Sequence, residues 1–475
     1  MDTVKRIGRN IFFQGISEVV TRAVQIFILI YIARFFREVE FGKFNFAIAF
    51  AAISLIFIDL GMQPLLVKEI SRKKELASKY ISHALIIKSA LSVAGYFAVV
   101  LIMNAMNYQK DVRLIVYVMI VSTIFKSLSD ILGTVFLAYE QMHWDAVLKI
   151  LKAVILLVSV SFALYFSLPI IYVAVAYAVT DIVVFAASVG IIFTKLINFA
   201  ARLQKDLVKY LTIESLPYAL TVLFYSIYFY IDSVMLSKMR GLAEVGIYSA
   251  AYNITIALVS IPHIYVQSIF PTLSRFFVKS KSSIEVTYNK SLKYLSILAI
   301  PITTILFFLS DNIVHFLYGQ GFHNSSMVLK IIAITIFFRF VTFVNGIVII
   351  SIDKQKQRLY YQGITALINI VLNLILIPLY GYVGAAIATV ATELFLFITY
   401  FIPVSEYFKT ISNSYVLLKP ILVAALSSSV FYIKAGTYLQ MILFLLAYGT
   451  GLLIIRVFDK EDWNIMKRLS KFYKN

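Results

Sequence analysis

Four basic residues lie within stretches of sequence that are otherwise apolar: Arg22, Lys88, Lys126 and Arg339. A charge in an apolar environment is costly, so such residues usually pair with another charge or face a water-filled cavity. A lysine there could bind a phosphate, and an arginine could do so with two parallel hydrogen bonds. Arg339 is the sharpest candidate, because it is the only charged residue in segment 331–351. We therefore predict that these four cations contact an anionic substrate.

Acidic residues occur in similar stretches and could couple an ion to a transport step. A buried carboxylate can hold Na⁺ or take up a proton, because burial disfavours its charged form. Pro217 should kink the helix that carries Glu214 and free backbone carbonyls beside this acid. No cofactor is implied beyond such a coupling Na⁺ or H⁺. The predicted coupling acids are Glu18, Asp59, Asp130, Asp181, Glu214, Asp232 and Glu393.

Several of these charges also have a structural interpretation. Glu18 and Arg22 are four residues apart, as are Lys126 and Asp130, so each pair shares one helix face and could neutralise itself. Arg339 could be the partner of a buried acid. Other acids could cap a helix or pack two helices together. Residue types alone leave both interpretations open.

The sequence lacks the residues that disulfide, thiol and common metal-site chemistry require. The chain has no cysteine, which excludes disulfides, thiolate metal sites and thiol nucleophiles. Its five histidines form no HExxH pair. The net charge of +19 resembles that of a nucleic-acid-binding protein, but the charges fall in alternate breaks of the apolar pattern. We therefore expect no nucleic-acid partner.

The charged residues must be positioned by membrane-spanning helices. About 20 helical residues cross a bilayer core of about 30 Å, and apolar stretches of this length recur along the chain. Only 14% of the residues are charged, too few for a water-facing globule of this size. Lys88 lies inside the third stretch, from where its side chain could also reach the membrane surface. The fourteen predicted spans are 10–34, 43–66, 80–106, 112–138, 146–166, 169–194, 209–237, 245–271, 291–311, 328–352, 358–378, 383–403, 415–434 and 437–457.

The distribution of basic residues predicts the orientation. With a cytoplasmic N-terminus, thirty of the 43 lysines and arginines fall on the cytoplasmic side, nine on the outer side and four within spans. This bias agrees with the positive-inside rule. We therefore predict a multi-pass protein of the cytoplasmic membrane with both termini in the cytoplasm and basic loops at the anionic inner leaflet.

A faint internal repeat divides the spans into two groups of six. The segment 40–47 resembles segment 244–251, and each lies at the entrance to the second helix of its group. Because six is even, both groups enter the membrane in the same direction. This arrangement is typical of transporters built from two parallel halves.

Several segments together resemble one family of membrane transporters. They are Tyr230–Leu236, Val245–Tyr252, Phe270–Ser274, Leu317–Phe322 and Ile377–Thr389. In this order the motifs are similar to those of the polysaccharide flippases, the O-antigen and lipid-linked-oligosaccharide exporters of the multidrug/oligosaccharidyl-lipid/polysaccharide superfamily. The resemblance covers nearly the whole chain, but it does not specify the substrate.

The resemblance implies an all-α membrane protein with two six-helix lobes around a central cavity, related by a pseudo-twofold axis, and two further C-terminal helices. The expected domains are 1–194, a connector 195–209, 210–404, and 405–475 with a basic tail. The implied function is that of a monomeric flippase, not an enzyme. It would move a polyprenyl-(pyro)phosphate-linked oligosaccharide from the inner to the outer leaflet by alternating access. A multidrug or cation antiporter of the same superfamily and a membrane glycan polymerase are the alternatives, although a polymerase would need a larger outer loop than 311–327.

Overall fold

The computed structural model describes residues 3–199, 203–279, 281–408 and 414–463, and no strand occurs in these ranges. The predicted all-α class is therefore confirmed. The helices are α1 (Thr3–Ile58), α2 (Met62–Arg72), α3 (Ala77–Ala105), α4 (Lys110–Ala138), α5 (Met142–Tyr165), α6 (Ile170–Lys195), α7 (Lys205–Met239), α8 (Leu242–Lys279), α9 (Lys281–Phe308), α10 (Ser310–Tyr318), α11 (Ser325–Ser351), α12 (Gln355–Tyr380), α13 (Tyr382–Phe408), α14 (Ser414–Ser427) and α15 (Thr437–Ile454).

Twelve helices in the described ranges are long and apolar enough to cross a membrane. The first, Phe13–Ile58, contains 46 residues, enough for two crossings, and its backbone breaks at Arg37 with φ 61°. The break separates the first two predicted spans. The apolar segment Leu417–Tyr432 is too short to count among the twelve, and it corresponds to the thirteenth predicted span. The different count thus reflects one broken helix and one short one.

A second break lies within the predicted span 43–66. Helix α1 ends at Ile58, and α2 begins at Met62 after Gly61, whose φ is 65°. A Cβ at Gly61 would lie 2.8 Å from the backbone nitrogen of Ala219 on α7, so glycine suits both the turn and the close approach. Asp59 Oδ1 accepts a hydrogen bond of 2.9 Å from the backbone N–H of Gly61. The polar side chain thus closes the turn.

The described helices form two compact units. Unit 1 comprises the described residues within Met1–Ser249 and Asn373–Tyr382, and unit 2 those within Ala250–Leu372 and Val383–Asn475. The predicted limits of the two lobes and their connector stay a prediction. In unit 2, α14 and α15 pack on α9 around a small apolar core of Ile300, Val423, Ala424, Phe444, Tyr448 and Leu452.

Two glycines bring α1 and α8 into backbone contact within unit 1. A Cβ on Gly42 would collide with the carbonyl oxygen of Leu242, and a Cβ on Gly246 would collide with that of Glu38. Both glycines belong to the repeated segments 40–47 and 244–251. The matching glycines of these two resembling segments therefore meet each other directly.

Candidate functional site

Helix α4 of unit 1 exposes charged side chains in the middle of its length. Over residues 115–139, all of which the structure describes, Lys126 and Asp130 are the only exposed residues. The two lie one helical turn apart, and apolar neighbours such as Ile131 are buried on the other sides of the helix. Because an exposed charge facing lipid would be costly, we infer that this side of α4 faces water rather than lipid.

Lys126 lies within electrostatic range of charges and a hydroxyl from three other helices. The neighbours are Asp130 on its own helix, Arg22 of α1, Asp181 of α6 and Tyr230 of α7. Among the described residues, however, Lys126 makes no salt bridge. Of the four predicted cations, Lys126 is thus the one that makes no salt bridge with a carboxylate of the described residues.

Arg22 and Glu18 form the predicted pair on α1. Arg22 Nε lies 2.9 Å from Glu18 Oε1, and the side chains are 42% and 34% exposed. An exposed pair of this kind contributes little to stability. Glu18 therefore holds the arginine only weakly.

Lys88 is completely buried and holds the turn after α1 in place. Its Nζ lies 2.8 Å from Asp59 Oδ2 and donates to Ser127 Oγ at 2.6 Å. Ser127 in turn donates to Asp59 at 3.0 Å. Lys88 does not reach the membrane surface as one interpretation required. The three side chains satisfy one another and join α3, α4 and the end of α1.

Asp181 is also neutralised, by a lysine that the sequence interpretation assigned to the cytoplasmic side. Lys152 of α5 forms an ion pair with Asp181 Oδ1, and Ser122 of α4 donates to Asp181 Oδ2 at 2.6 Å. The carboxylate side chain is 4% exposed. Lys152 lies inside α5 and within the predicted span 146–166, although it was counted among the thirty cytoplasmic basic residues.

Arg339 and Glu393 form a sealed ion pair in unit 2. The guanidinium Nε donates to Glu393 Oε1, and the two side chains are 3% and 1% exposed. Nη2 of Arg339 lies 3.1 Å from the hydroxyl of Tyr252, and its Cζ lies 5.3 Å from the centre of that ring. The only charge of segment 331–351 is thus matched by an acid of α13, in agreement with the structural interpretation.

The two remaining predicted acids differ in burial. Asp232 is 1% exposed and accepts hydrogen bonds from Tyr248 at 2.8 Å and from Asn373 at 2.5 Å. It thereby joins α7, α8 and the end of α12 within unit 1. Glu214 is exposed on α7, three residues before Pro217 inside the same helix. Roles of these acids in ion coupling stay predictions, as do substrate contacts of the predicted cations.

Sequence reasoning missed the partners that complete these pairs. Lys152, Ser127 and Asn373 come from helices far away in sequence from the acids that they contact, and Tyr252 is equally far from Arg339, so no spacing signal links these partners. Only the two intrahelical pairs could be seen from a separation of four residues. Among the described residues, no group of three His, Asp or Glu side chains could hold a metal ion.

An ion-pair cluster attaches the C-terminal segment after α15 to α9. Lys290 and Lys293 contact both Asp459 and Asp462, and Tyr294 donates to Asp462 at 2.7 Å. Burial raises the pKa of Asp462, but hydrogen bonds from the two lysines and the tyrosine outweigh it and hold that pKa well below its usual range. We refer to these five residues as the tail clamp.

Comparison with known proteins shows which family the chain belongs to. The sequence model for the family described as "Polysaccharide biosynthesis protein" matches residues 7–277, more than half of the chain. The chain belongs to the polysaccharide biosynthesis protein family. A second family model, MatE, matches residues 217–375. The predicted membership in the polysaccharide flippases and their superfamily is thereby confirmed.

Two curated relatives of this polysaccharide biosynthesis protein carry transport names. The probable low-salt glycan biosynthesis flippase Agl15 of Haloferax volcanii is 28% identical over 165 residues, covering 34% of this chain and 35% of that protein. The putative O-antigen transporter of Escherichia coli K12 is 29% identical over 161 residues, covering 34% and 39%. The aligned part thus spans little more than a third of either relative. These names agree with the prediction of a transporter rather than an enzyme.

Solved structures share the fold. The lipid II flippase MurJ in an inward closed conformation superposes with a TM-score of 0.80 at 19% identity, covering 94% of this chain and 98% of that one. An inward-facing multidrug resistance MATE family transporter gives a TM-score of 0.69 at 13% identity, covering 82% and 96%. At these identities the likeness shows the architecture alone. This family member is therefore a multi-pass membrane protein of the MurJ and MATE fold.

Proposed function

We propose that this protein is a flippase that moves a polyprenyl-(pyro)phosphate-linked oligosaccharide from the inner to the outer leaflet by alternating access. The observation that carries the proposal is the exposed Lys126–Asp130 turn of α4, which lies in a stretch, 115–139, with no other exposed residue. A phosphate crossing the bilayer needs a positively charged, hydrated surface, because an unpaired anion in the low-dielectric core would cost several kcal/mol or more. The names of the relatives support a glycan-bearing lipid as the cargo.

The chemistry of the site follows from its charge balance. Lys126 would bind a phosphate oxygen, and Arg22 would reinforce it after leaving Glu18. Asp130 would compete with the phosphate for Lys126, because its carboxylate is an anion within the electrostatic range of this lysine. Na⁺ or H⁺ bound at Asp130 would remove this competition and favour the loaded state. Such an arrangement would couple an ion to the cargo without a cofactor.

The orientation belongs to the same proposal. We place the protein in the cytoplasmic membrane as a monomer, with both termini in the cytoplasm and Asn324 outside. Because the chain has no cysteine, single cysteines can be introduced without background. A membrane-impermeant thiol reagent added outside should label Asn324→Cys and spare Ser283→Cys. Labelling in the reverse pattern would contradict the orientation.

The function is tested by deletion and complementation. Loss of the gene should accumulate intact lipid-linked glycan facing the cytoplasm and abolish surface glycan. Wild-type protein and Lys149→Gln, which alters a half-buried pair with Asp145 in the first two turns of α5, should restore the surface glycan. Lys126→Gln should fail to do so at equal abundance. Normal surface glycan in the deletion strain, with new sensitivity to cationic drugs, would favour an antiporter.

A further inference from the structure

A polar stripe runs along α8 within its membrane-spanning part, in unit 2. His263 and Gln267 are exposed one helical turn apart, and Ser260 lies half-buried one turn before them. Separations of three and four residues place the three side chains on one side of the helix. Gln267 Nε2 lies 3.2 Å from His263 Nε2, so the amide donates a hydrogen bond to the imidazole. None of the three side chains carries a permanent charge.

The stripe borders the packed side of its helix. Thr255, Val259 and Val266 follow one another at helical spacing, and all three are buried. The ring of His263 lies edge-on to the ring of Phe343 on α11, with centroids 5.9 Å apart and an interplanar angle of 85°. Polar side chains on a membrane helix are costly if they face lipid, so they usually face a partner or water. The stripe is thus a polar, water-accessible surface beside an aromatic ring.

We propose that Ser260, His263 and Gln267 bind the sugar part of the lipid-linked substrate. Sugar hydroxyls both donate and accept hydrogen bonds, and hydroxyl, imidazole and amide side chains do the same. The neighbouring Phe343 offers an apolar surface for the carbon face of a sugar ring. A phosphate would instead need a cation, which the stripe lacks. The inference rests on the proposed flippase function.

Two lipid probes separate the sugar from the phosphate. The full-length protein in nanodiscs is titrated with undecaprenyl pyrophosphate, and separately with the same lipid carrying N,N′-diacetylchitobiose. The wild-type protein should bind the sugar-bearing lipid more tightly. The double variant His263→Ala/Gln267→Ala should bind this lipid about tenfold more weakly, the effect expected from the loss of one or two ordinary hydrogen bonds. Its affinity for the sugar-free lipid should stay unchanged.

Matched variants make the result specific. Ile264→Ala removes an exposed apolar side chain from the same turn and should bind both lipids as the wild type does. His263→Gln keeps hydrogen-bonding capacity and should retain most of the affinity. Equal weakening for both lipids, no weakening for either, or a wild type that does not distinguish the lipids would overturn the inference. A wild type that binds neither lipid would overturn the proposed function itself, and the inference with it.

Discussion

The open charge site of unit 1 and the sealed charge site of unit 2 differ in whether an acid makes direct contact with the cation. Arg339 of unit 2 is paired with Glu393 and 3% exposed, whereas Lys126 of unit 1 is exposed and makes no salt bridge among the described residues. Both are charges in membrane helices, and both looked like substrate ligands in the sequence. The difference teaches that a neighbouring helix decides whether a membrane charge stabilises the fold or stays available to a ligand.

The largest expected effect is at the sealed site. Arg339→Ala should leave Glu393 buried without its cation and destabilise the protein by about 3–5 kcal/mol. The folded protein should then be lost from the membrane or melt far below the wild type. Thermal unfolding followed by size-exclusion chromatography measures this effect.

A double variant distinguishes a structural pair from a substrate ligand. Arg339→Leu/Glu393→Leu removes both charges and should recover most of the lost stability, because two apolar side chains replace a matched pair. Transport by this variant should then be close to normal. A stable double variant that does not transport would show that Arg339 contacts the cargo, and the contrast between the two sites would fail.

The next effect is at the open site and should appear in transport rather than stability. Lys126→Gln should lower flipping of the sugar-bearing lipid in proteoliposomes by about 10- to 100-fold, which corresponds to one charge-assisted hydrogen bond of about 1.5–3 kcal/mol. Its melting temperature should stay at the wild-type value. Lys126→Arg should keep much of the activity because it keeps the charge. A destabilised Lys126→Gln would mean that this site is structural as well.

The tail clamp offers a third kind of charge site, whose strength should depend on pH. The pKa of Asp462 is lower in the folded protein than the value of about 3.9 expected in the unfolded chain. The ionised carboxylate therefore stabilises the folded state fully above about pH 4, and this stabilisation is lost as the pH falls through the pKa of the folded protein. Trp463 reports on the segment, since it packs on Phe458, and Trp144→Phe removes the other tryptophan. Its fluorescence should change below pH 4. Asp462→Asn should lack this change.

The smallest effect should come from the exposed pair on α1. Glu18→Gln should change stability by no more than about 0.5 kcal/mol, as is usual for exposed pairs four residues apart. If Arg22 assists Lys126, freeing the arginine should raise affinity for undecaprenyl pyrophosphate modestly. A change in melting temperature larger than that of Lys126→Gln would place Glu18 among the structural acids and weaken the assignment of an open site to unit 1.

The fold could be predicted from the sequence because a helix needs about 20 apolar residues to cross a bilayer. Apolar stretches of about 20 residues and basic breaks located the helices, and the family motifs agreed with the comparisons. This length requirement could not show that Ile58 ends a helix within an apolar stretch, because Asp59 and Gly61 form a local turn. The short helix Ser310–Tyr318 was not predicted either. Its buried residues Val314 and Tyr318 span too few turns to give a clear helical pattern in the sequence.

The candidate site was harder to predict, because pairing between helices leaves no local signal. Intrahelical neighbours such as Lys126 and Asp130 are visible from spacing, but the Arg339–Glu393 pair joins residues 54 positions apart. Isolation of a charge in the sequence was taken as a sign of function. In the structure, Arg339, which has no charged neighbour in its segment of sequence, forms a buried ion pair with Glu393. Lys126 has Asp130 one helical turn away but makes no salt bridge among the described residues, so its ammonium group can still bind a ligand.

The reciprocal glycine contact between α1 and α8 has a consequence for how these segments can change over evolution. Gly42 and Gly246 touch backbone atoms rather than side chains, so no adjustment of a neighbouring rotamer can make room for a methyl group at either position. A substitution at one glycine cannot be compensated by a change at the other. If the two segments descend from one ancestral segment, the main chain of each requires glycine at the matching position of the other. The residues around these two positions remain free to diverge.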